Sequence, residues 1–226
     1  MTYLMISLKS IKVKTIPLYN SKILLIDNFL KKNFFLKLVN EISLLEEKSV
    51  NVKSYNVKSK SQKKEFLDYN EYFPNQKKLV KYLSSKKFTK FLKRKLTITN
   101  NLFPDKAKMF SGFNIVSKNG FLRPHADFNF NSQLKKYRTI NLLIYFNKNW
   151  KNSYGGNLAF YDYSNLKKKY EFLAKANRAL IFLTNKFTPH GYRKIKINKK
   201  RFSLNFYYYT NENLSFSNIP HKTIWR

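Results

Sequence analysis

The chain has 226 residues, which is enough for one well-buried domain and too few for two domains of usual size. Hydrophobic residues make up 43% of it, with 21 Phe and 16 Tyr, and this composition excludes a disordered chain. Because the chain has no cysteine, disulfides, thiolate metal sites and cysteine nucleophiles are excluded, and any metal must bind to His, Asp or Glu.

The formal net charge of +33 has two interpretations. Clustered Lys and Arg side chains would bind a polyanion such as nucleic acid by releasing its counterions. The chain is also rich in Asn, Ile, Phe and Tyr, which is the composition expected from AT-rich codons, and the charge would then be a solvated surface. Both interpretations stay open at the level of sequence, as does the oligomeric state.

The first half of the chain predicts a strand and supporting helices. Lys22 to Asp27 has the pattern of a short buried strand, and the apolar spacing after it predicts a helix from about Lys32 to Glu46 with Asn33 as N-cap. Ser49 to Lys64 is rich in Ser, Asn and Lys and lacks periodicity, which indicates a mobile basic loop. Gln76 to Leu96 fits one or two further helices.

The N-terminal region lacks the features of a targeting or membrane segment. Met1 to Thr15 mixes lysines with apolar residues and has no small-residue cleavage site, so a signal peptide is not expected. The most apolar stretch, Ile23 to Val39, is interrupted by Asp27 and by lysines, so no membrane span is expected. We therefore expect a cytoplasmic protein.

From Met109 onward, short apolar or alternating runs are separated by turn residues, which is typical of strands. The runs are Phe113–Val116, Thr139–Phe146, Asn157–Tyr161, Arg178–Leu183 and Arg201–Thr210. Several short strands after helices indicate a mainly β jelly roll with an N-terminal helical layer. We expect one integrated domain with a helical support region at 1–108, a β core at 109–212 and a tail at 213–226.

Three residues in the β region are candidate metal ligands. His125 and Asp127 are two residues apart, so on an extended strand both side chains project from one face. His190 could complete a set of two imidazoles and one carboxylate, which leaves open positions on iron for an oxo acid and O2. For a lone His-x-Asp pair, a structural role is the alternative.

The strand that begins at Arg201 is a candidate carboxylate receptor. Alternation places Arg201, Ser203 and Asn205 on one face, and a buried Arg beside a hydroxyl can bind a carboxylate through charge-assisted hydrogen bonds. Tyr145 lies on the face of its own strand that also carries Asn141. The alternatives are an exposed Arg201 at the strand start and an ordinary core tyrosine at position 145.

Taken in order, these motifs resemble the prolyl 4-hydroxylase-like branch of the Fe(II)/2-oxoglutarate-dependent dioxygenases, which includes the oxygen-sensing prolyl hydroxylases. The resemblance runs from about Met109 to Thr210. Besides the residues above, it rests on Gly120–Asp127, Leu143–Trp150, Gly155–Leu158, Asn177–Phe182 and Thr188–Gly191, with a weaker match at Leu25–Leu30.

The resemblance implies a double-stranded β-helix (cupin-like) core and a set of site residues. His125, Asp127 and His190 would bind Fe(II), and Arg201 would bind the distal carboxylate of 2-oxoglutarate. The other implied co-substrate contacts are Tyr145, Ser203, Leu143, Leu158 and Asn114, the last at a position where the family often has Tyr. Arg138 and Arg123 would contact the substrate, with a solvated loop position as the alternative for Arg138. Ascorbate would be an additional cofactor.

The implied activity is that of an oxidoreductase. It would decarboxylate 2-oxoglutarate oxidatively with O2 and hydroxylate an unactivated C–H bond, with a prolyl or other peptidyl side chain as the first choice of acceptor. A sugar, a lipid precursor or a small metabolite is the alternative acceptor. A nucleic-acid demethylase and a non-catalytic basic jelly roll that binds nucleic acid or another polyanion are further alternatives, because either would use the net charge. We expect acceptor specificity to reside in the segments 49–64 and 128–136.

Overall fold

The computed structural model describes residues 5–8, 10–19, 21–47, 52–57, 59–105, 111–214 and 219–226. In these parts of the chain, an antiparallel sheet curls on itself and helices form a layer against it. The helices are α1 (Lys32–Glu47), α2 (Pro74–Leu83) and α3 (Lys86–Leu96). The strands are β1 (Lys14–Leu18), β2 (Ser21–Ile26), β3 (Val52–Val57), β4 (Ser61–Leu67), β5 (Phe103–Pro104), β6 (Gly112–Ala126), β7 (Phe130–Asn131), β8 (Lys136–Tyr145), β9 (Leu158–Tyr161), β10 (Lys168–Phe172), β11 (Ala179–Leu183), β12 (His190–Tyr192), β13 (Arg201–Thr210) and β14 (Ile224–Trp225). This confirms the expected mainly β architecture with a helical layer.

The sheet is joined across its curl by β6. The strand order is β1-β2-β11-β8-β13-β6-β12-β9-β10, so β6 lies between the two halves. Its first part pairs with β13, where Arg201 lies opposite Val116, and its second part pairs with β12, where His190 lies opposite His125. Between these parts, a Cβ at Gly120 would lie 2.8 Å from a backbone carbonyl oxygen, so glycine permits the close approach at this bend.

The two faces of β13 serve different purposes, as the alternation predicts. One face is apolar and packs in the cluster that also contains buried residues of all three helices. The apolar side chains on this face are Phe202, Leu204, Phe206 and Tyr208. Each such burial contributes roughly 1.5–3 kcal/mol. The other face carries Arg201, Ser203 and Asn205 and lines a cavity inside the curl.

The helical layer is held by capping as well as by apolar packing. The Ser85 hydroxyl accepts a hydrogen bond from the Phe88 N–H and begins α3. The Glu41 carboxylate of α1 accepts hydrogen bonds from the backbone N–H groups of Asn75 and Gln76 at 2.9 and 3.1 Å. A carboxylate at the N-terminus of a helix is favoured by the helix dipole, so Glu41 fastens α2 to α1.

Asn33 is not the N-cap of α1, and that prediction was wrong. The helix begins at Lys32, so Asn33 lies inside its first turn. The residues before the helix are instead held by Asn177, which is distant in sequence. Its side chain donates to the Leu30 carbonyl and accepts from the Leu30 N–H, both at 2.8 Å. A local pattern of residues does not reveal a partner that lies so far along the chain.

The predicted mobile basic loop at 49–64 is also wrong for the residues that the structure describes, while 49–51 and 58 lie outside them. This segment forms β3 and most of β4, an antiparallel hairpin whose second strand pairs with β6. Backbone hydrogen bonds to an edge strand do not require an apolar face. A polar hairpin of this kind therefore leaves little hydrophobic periodicity in the sequence.

The C-terminal tail is held on the sheet as well. Ile224 pairs with Ala126 and Trp225 with His125, so β14 lies antiparallel beside the end of β6 that carries the candidate metal ligand His125. The predicted boundaries at 108 and 212 stay a prediction. Among the described residues, no helix combines the length and apolar character that a membrane crossing requires.

Arg178 generates a testable prediction about stability. Its Nε and Nη2 donate to the two carboxylate oxygens of Asp27 at 2.7 and 2.9 Å, and this hydrogen bonding holds the Asp27 pKa below its ordinary value of 3.8. A folded-state pKa that is lowered stabilises the fold above the unfolded pKa, and the stabilisation is lost as the pH falls through the folded value.

We expect Arg178→Met to lower the free energy of unfolding by about 1 kcal/mol at pH 7, a modest value because the Asp27 side chain is 35% exposed. The difference from the wild type should shrink as the pH falls below 3.8, in urea titrations of the metal-free protein. Lys175→Met is the control, since its Nζ lies 3.6 Å from Asp27 and its side chain is 51% exposed. An equal loss from both variants would contradict the prediction.

Candidate functional site

His125, Asp127 and His190 meet at one end of the curl. His125 Nε2 lies 3.4 Å from Asp127 Oδ1, and His190 Nε2 lies 3.4 Å from Asp127 Oδ2. One ligand atom from each residue lies within 4.8 Å of the others. Two imidazoles and one carboxylate that converge in this way suit a divalent transition metal and leave further coordination positions open.

Both histidines are oriented by carbonyl oxygens of their own strands or of the turn just before. His125 Nδ1 lies 2.9 Å from the Arg123 oxygen, and His190 Nδ1 lies 3.0 Å from the Thr188 oxygen. Since a carbonyl only accepts, each Nδ1 must carry the proton, and each Nε2 then presents its lone pair to the metal position. Trp225 packs against the outer side of His125, with ring centroids 4.9 Å apart.

The site has the protonation state that a cation requires. Burial lowers the pKa of His190 to about 4, so its imidazole is neutral at neutral pH. Burial by itself would raise the pKa of Asp127, but the charge of the Arg138 guanidinium holds it well below its ordinary value. An ionised carboxylate beside the neutral His190 imidazole can bind a metal without first releasing a proton from either group.

Arg201 is the second element of the site. It is 2% exposed, and its Nη2 donates to the Tyr145 hydroxyl at 3.4 Å. Its guanidinium carbon lies 5.0 Å from the Tyr145 ring centroid and 4.6 Å from that of Tyr192. No carboxylate of the residues that the structure describes forms an ion pair with Arg201, and its Nε has no hydrogen-bond partner. A buried guanidinium without an anionic partner among the described residues is suited to an anionic ligand.

Gly156 forms one wall beside Arg201. Its φ is +71°, and a Cβ there would lie 2.9 Å from Arg201 Cδ. Both facts favour glycine, and they let the backbone lie directly against the arginine stem.

The other expected co-substrate contacts lie in the same place. Asn114, Leu143, Leu158 and Ser203 line the cavity that contains the three candidate metal ligands and Arg201. Tyr145 lies behind them and reaches Arg201 through its hydroxyl, whose pKa is raised by burial. Asn114 Nδ2 donates to a carbonyl at 2.7 Å, while its buried Oδ1 has no partner. Whether these side chains bind a co-substrate stays a prediction.

The two expected substrate contacts are placed differently. Arg138 is not in a solvated loop: it lies on β8, is 5% exposed, and its Nη2 lies 3.0 Å from Asp127 Oδ2. Arg123 is exposed, and its side chain does not line the cavity. The part of Arg123 that serves the site is the carbonyl that accepts from His125.

Sequence reasoning missed several cavity residues. These are Leu122, Asn141, Tyr192, Asn205 and Tyr207. Asn141 had a usable signal, because it is a polar residue on the inward face of a strand that also carries Leu143 and Tyr145. Tyr192 had none, since its approach to Arg201 depends on the pairing of β12 with β6.

Comparison with known proteins finds one matching family model and a set of structural neighbours. The model of the 2OG-Fe(II) oxygenase superfamily matches residues 111–209. A prolyl-4-hydroxylase from Pseudomonas putida has a TM-score of 0.64 and 14% identity, over 83% of this chain and 92% of that chain. A prolyl hydroxylase from Trichoplax adhaerens, in complex with a hypoxia inducible factor oxygen degradation domain peptide fragment, has a TM-score of 0.61 and 18% identity, over 83% of both chains. No curated protein sequence matches the chain significantly.

A third neighbour contains a small molecule. HygX from Streptomyces hygroscopicus, with nickel, 2-oxoglutarate and hygromycin B bound, has a TM-score of 0.58 and 10% identity, over 84% of this chain and 85% of that chain. Together, the neighbours confirm the expected double-stranded β-helix fold.

The hydroxyl of Tyr145 generates a testable prediction. We expect Tyr145→Phe to weaken 2-oxoglutarate binding about 3- to 10-fold. The Tyr145 hydroxyl would no longer hold the Arg201 guanidinium, and the loss of this hydrogen bond costs roughly 1 kcal/mol of binding free energy. Calorimetry on the Mn(II)-loaded protein without O2 would measure this affinity. Tyr208→Phe is the matched control: it removes a buried hydroxyl that donates to the Leu83 carbonyl at 2.9 Å outside the cavity. Equal affinities for Tyr145→Phe and Tyr208→Phe would contradict the prediction.

Proposed function

We propose that this chain, whose residues 111–209 belong to the 2OG-Fe(II) oxygenase superfamily, binds Fe(II) through His125, Asp127 and His190 and binds 2-oxoglutarate through Arg201. The chain is an iron- and 2-oxoglutarate-dependent dioxygenase, and its family requires Fe(II), 2-oxoglutarate and O2. The proposal concerns which residues serve that chemistry and which acceptor is hydroxylated.

Two complementary sites lie in one cavity, and this observation supports the proposal most strongly. Three metal-ligating side chains lie at one end, and a buried arginine without a carboxylate partner among the described residues lies at the other. A dicarboxylate that carries an oxo group next to one carboxylate has the chemistry to engage both ends. The donor set and the arginine therefore fit the two groups that the family requires.

In the proposed mechanism, bound Fe(II) and 2-oxoglutarate supply oxidative decarboxylation with O2, which yields succinate, CO2 and an oxidant for a C–H bond. Arg201 offers a charged donor fork to the distal carboxylate, and Tyr145 supports that fork from behind. Leu143 and Leu158 provide apolar walls that exclude water from the chain between the carboxylates. His125 and His190 hold their protons at Nδ1, so that Nε2 stays free to ligate.

For the acceptor, we propose a prolyl or other peptidyl side chain. Support comes from the neighbours that are prolyl hydroxylases, one of them in complex with a peptide fragment. The hairpin β3–β4 adds to this support, because it extends the sheet at the strand that carries His125 and could border an extended peptide. A small polar molecule is the second candidate, and HygX with hygromycin B bound is the observation that favours it.

The activity itself can be tested without knowledge of the acceptor. We expect the Fe(II)-loaded wild type to release succinate from 2-oxoglutarate in the presence of O2, and His125→Ala and Arg201→Met each to reduce the rate about 100-fold, because one removes a metal ligand and the other the charged contact. Mass spectrometry of succinate would measure the rate. His221→Ala is the matched control, since its ring bonds to the Lys222 carbonyl outside the cavity.

A second measurement identifies the acceptor class. Proline-containing peptides, aminoglycosides, simple sugars and short oligonucleotides would be added in parallel, and stimulation of succinate release would be recorded. Stimulation by peptides supports the first candidate, and stimulation by aminoglycosides or sugars supports the second. A wild type that releases no succinate with any of them, yet is retained on DNA with a steep salt dependence, would overturn the proposed activity in favour of a basic binding module.

A further inference from the structure

Asp127 differs from the two candidate histidine ligands in how it is held. Each histidine is oriented by a carbonyl two residues before it. Asp127 lies one residue beyond the end of β6, in the connection to β7, so the strand does not orient its side chain. Its orientation must come from elsewhere.

Two side chains of β8 supply that orientation. Arg138 Nη2 and Asn141 Nδ2 both donate to Asp127 Oδ2, at 3.0 and 2.8 Å. Arg138 also donates from Nε and Nη2 to Asn141 Oδ1, at 3.0 and 2.8 Å, which closes a ring of three residues. Asp127 Oδ1 lies 3.4 Å from His125 Nε2, and Oδ2 lies 3.4 Å from His190 Nε2.

The remaining contacts of Arg138 hold its guanidinium in place. Its guanidinium carbon lies 3.7 Å from the ring centroid of Tyr207 and 4.8 Å from that of Phe128, and the residue is 5% exposed. Its backbone is held too, since its N–H donates to the Asn129 carbonyl at 2.9 Å. Its Nε and Nη2 donate to Asp127 and Asn141, and two aromatic rings lie against the guanidinium.

We infer that Arg138, supported by Asn141, is a positioning residue for the metal ligand Asp127 and not a contact for the acceptor substrate. By binding Oδ2, the pair fixes the orientation of the Asp127 carboxylate toward the two imidazoles. The inference rests on the proposed function, because it takes Asp127 as a metal ligand. The sequence predicted only a substrate contact for Arg138, and the positioning of Asp127 is a different role.

The test measures metal binding in the absence of 2-oxoglutarate and of any acceptor. Co(II) affinity and the visible absorption spectrum of the Co(II) protein would be recorded for the wild type and for Arg138→Met, Arg138→Lys and Asn141→Leu. We expect Arg138→Met to weaken Co(II) binding about 10- to 100-fold and to alter the spectrum, as loss of a partner behind a metal ligand does. Arg138→Lys should recover part of the affinity, because an ammonium can reach Asp127 but cannot form the fork to Asn141.

Arg178→Met is the control, since it breaks another Arg–Asp pair, with hydrogen bonds of 2.7 and 2.9 Å, outside the cavity. It should lower stability in urea and leave Co(II) affinity unchanged. If Arg138→Met does not fold, Arg138→Lys and Asn141→Leu still decide the question through the same two readouts.

The outcomes separate this inference from the proposed function. A wild type that does not bind Co(II) would refute the metal centre itself. A wild type that binds Co(II), together with Arg138 and Asn141 variants of equal affinity and unchanged spectrum, would refute only the positioning role. Weaker Co(II) binding by Arg178→Met to the same degree would show a general effect of stability and would also overturn the inference.

Discussion

The site exists because β6 pairs with two different partners along its length. Its first part lies beside β13, which begins with Arg201, and its second part lies beside β12, which begins with His190. The same strand ends with His125 and is followed by Asp127. Gly120 lies between the two parts, and the one strand forms a wall that both halves of the curl share. Without this double pairing, the candidate metal ligands and Arg201 would lie in separate sheets.

Charge inside the curl is arranged in two unequal parts. The negative charge of Asp127 is balanced by the ion pair with Arg138. Arg201 contacts two aromatic rings and a phenol hydroxyl, but no carboxylate among the described residues. Burial of an ion is tolerated when a counter-ion and hydrogen bonds compensate its lost hydration. The first arrangement is complete within the chain, and the second leaves room for an anionic ligand. In the proposed function, Arg138 would therefore shape the site and Arg201 would bind the ligand.

The high positive charge of the chain plays little part in the interior. The cavity uses two arginines, and both are buried and specifically surrounded. Most of the basic residues lie elsewhere, for example on α3, where lysines occupy the exposed face and Phe88, Phe91, Leu92 and Leu96 the buried one. The charge therefore bears on possible surface partners and on the approach of an acceptor, while the chemistry depends on a few buried groups.

The sequence by itself determined which side chains share a face. Period-two alternation is a local property, so it placed Arg201 with Ser203, and Tyr145 with Asn141, before any partner strand was known. Family resemblance then ordered His125, Asp127 and His190 into one site, and the geometry brings them within ligand distance.

Only the tertiary structure decided the long-range partners. The tie between Arg138 and Asp127, the contact of Trp225 with His125 and the pairing of β4 with β6 all join residues that are distant in sequence or lie on separate strands. For this reason the residues 52–57 and 61–64 lacked periodicity although they form a hairpin, and Arg138 was expected at the substrate although it forms an ion pair with Asp127. Which strand lies beside which depends on the register of the whole sheet, and no local pattern of residues contains it.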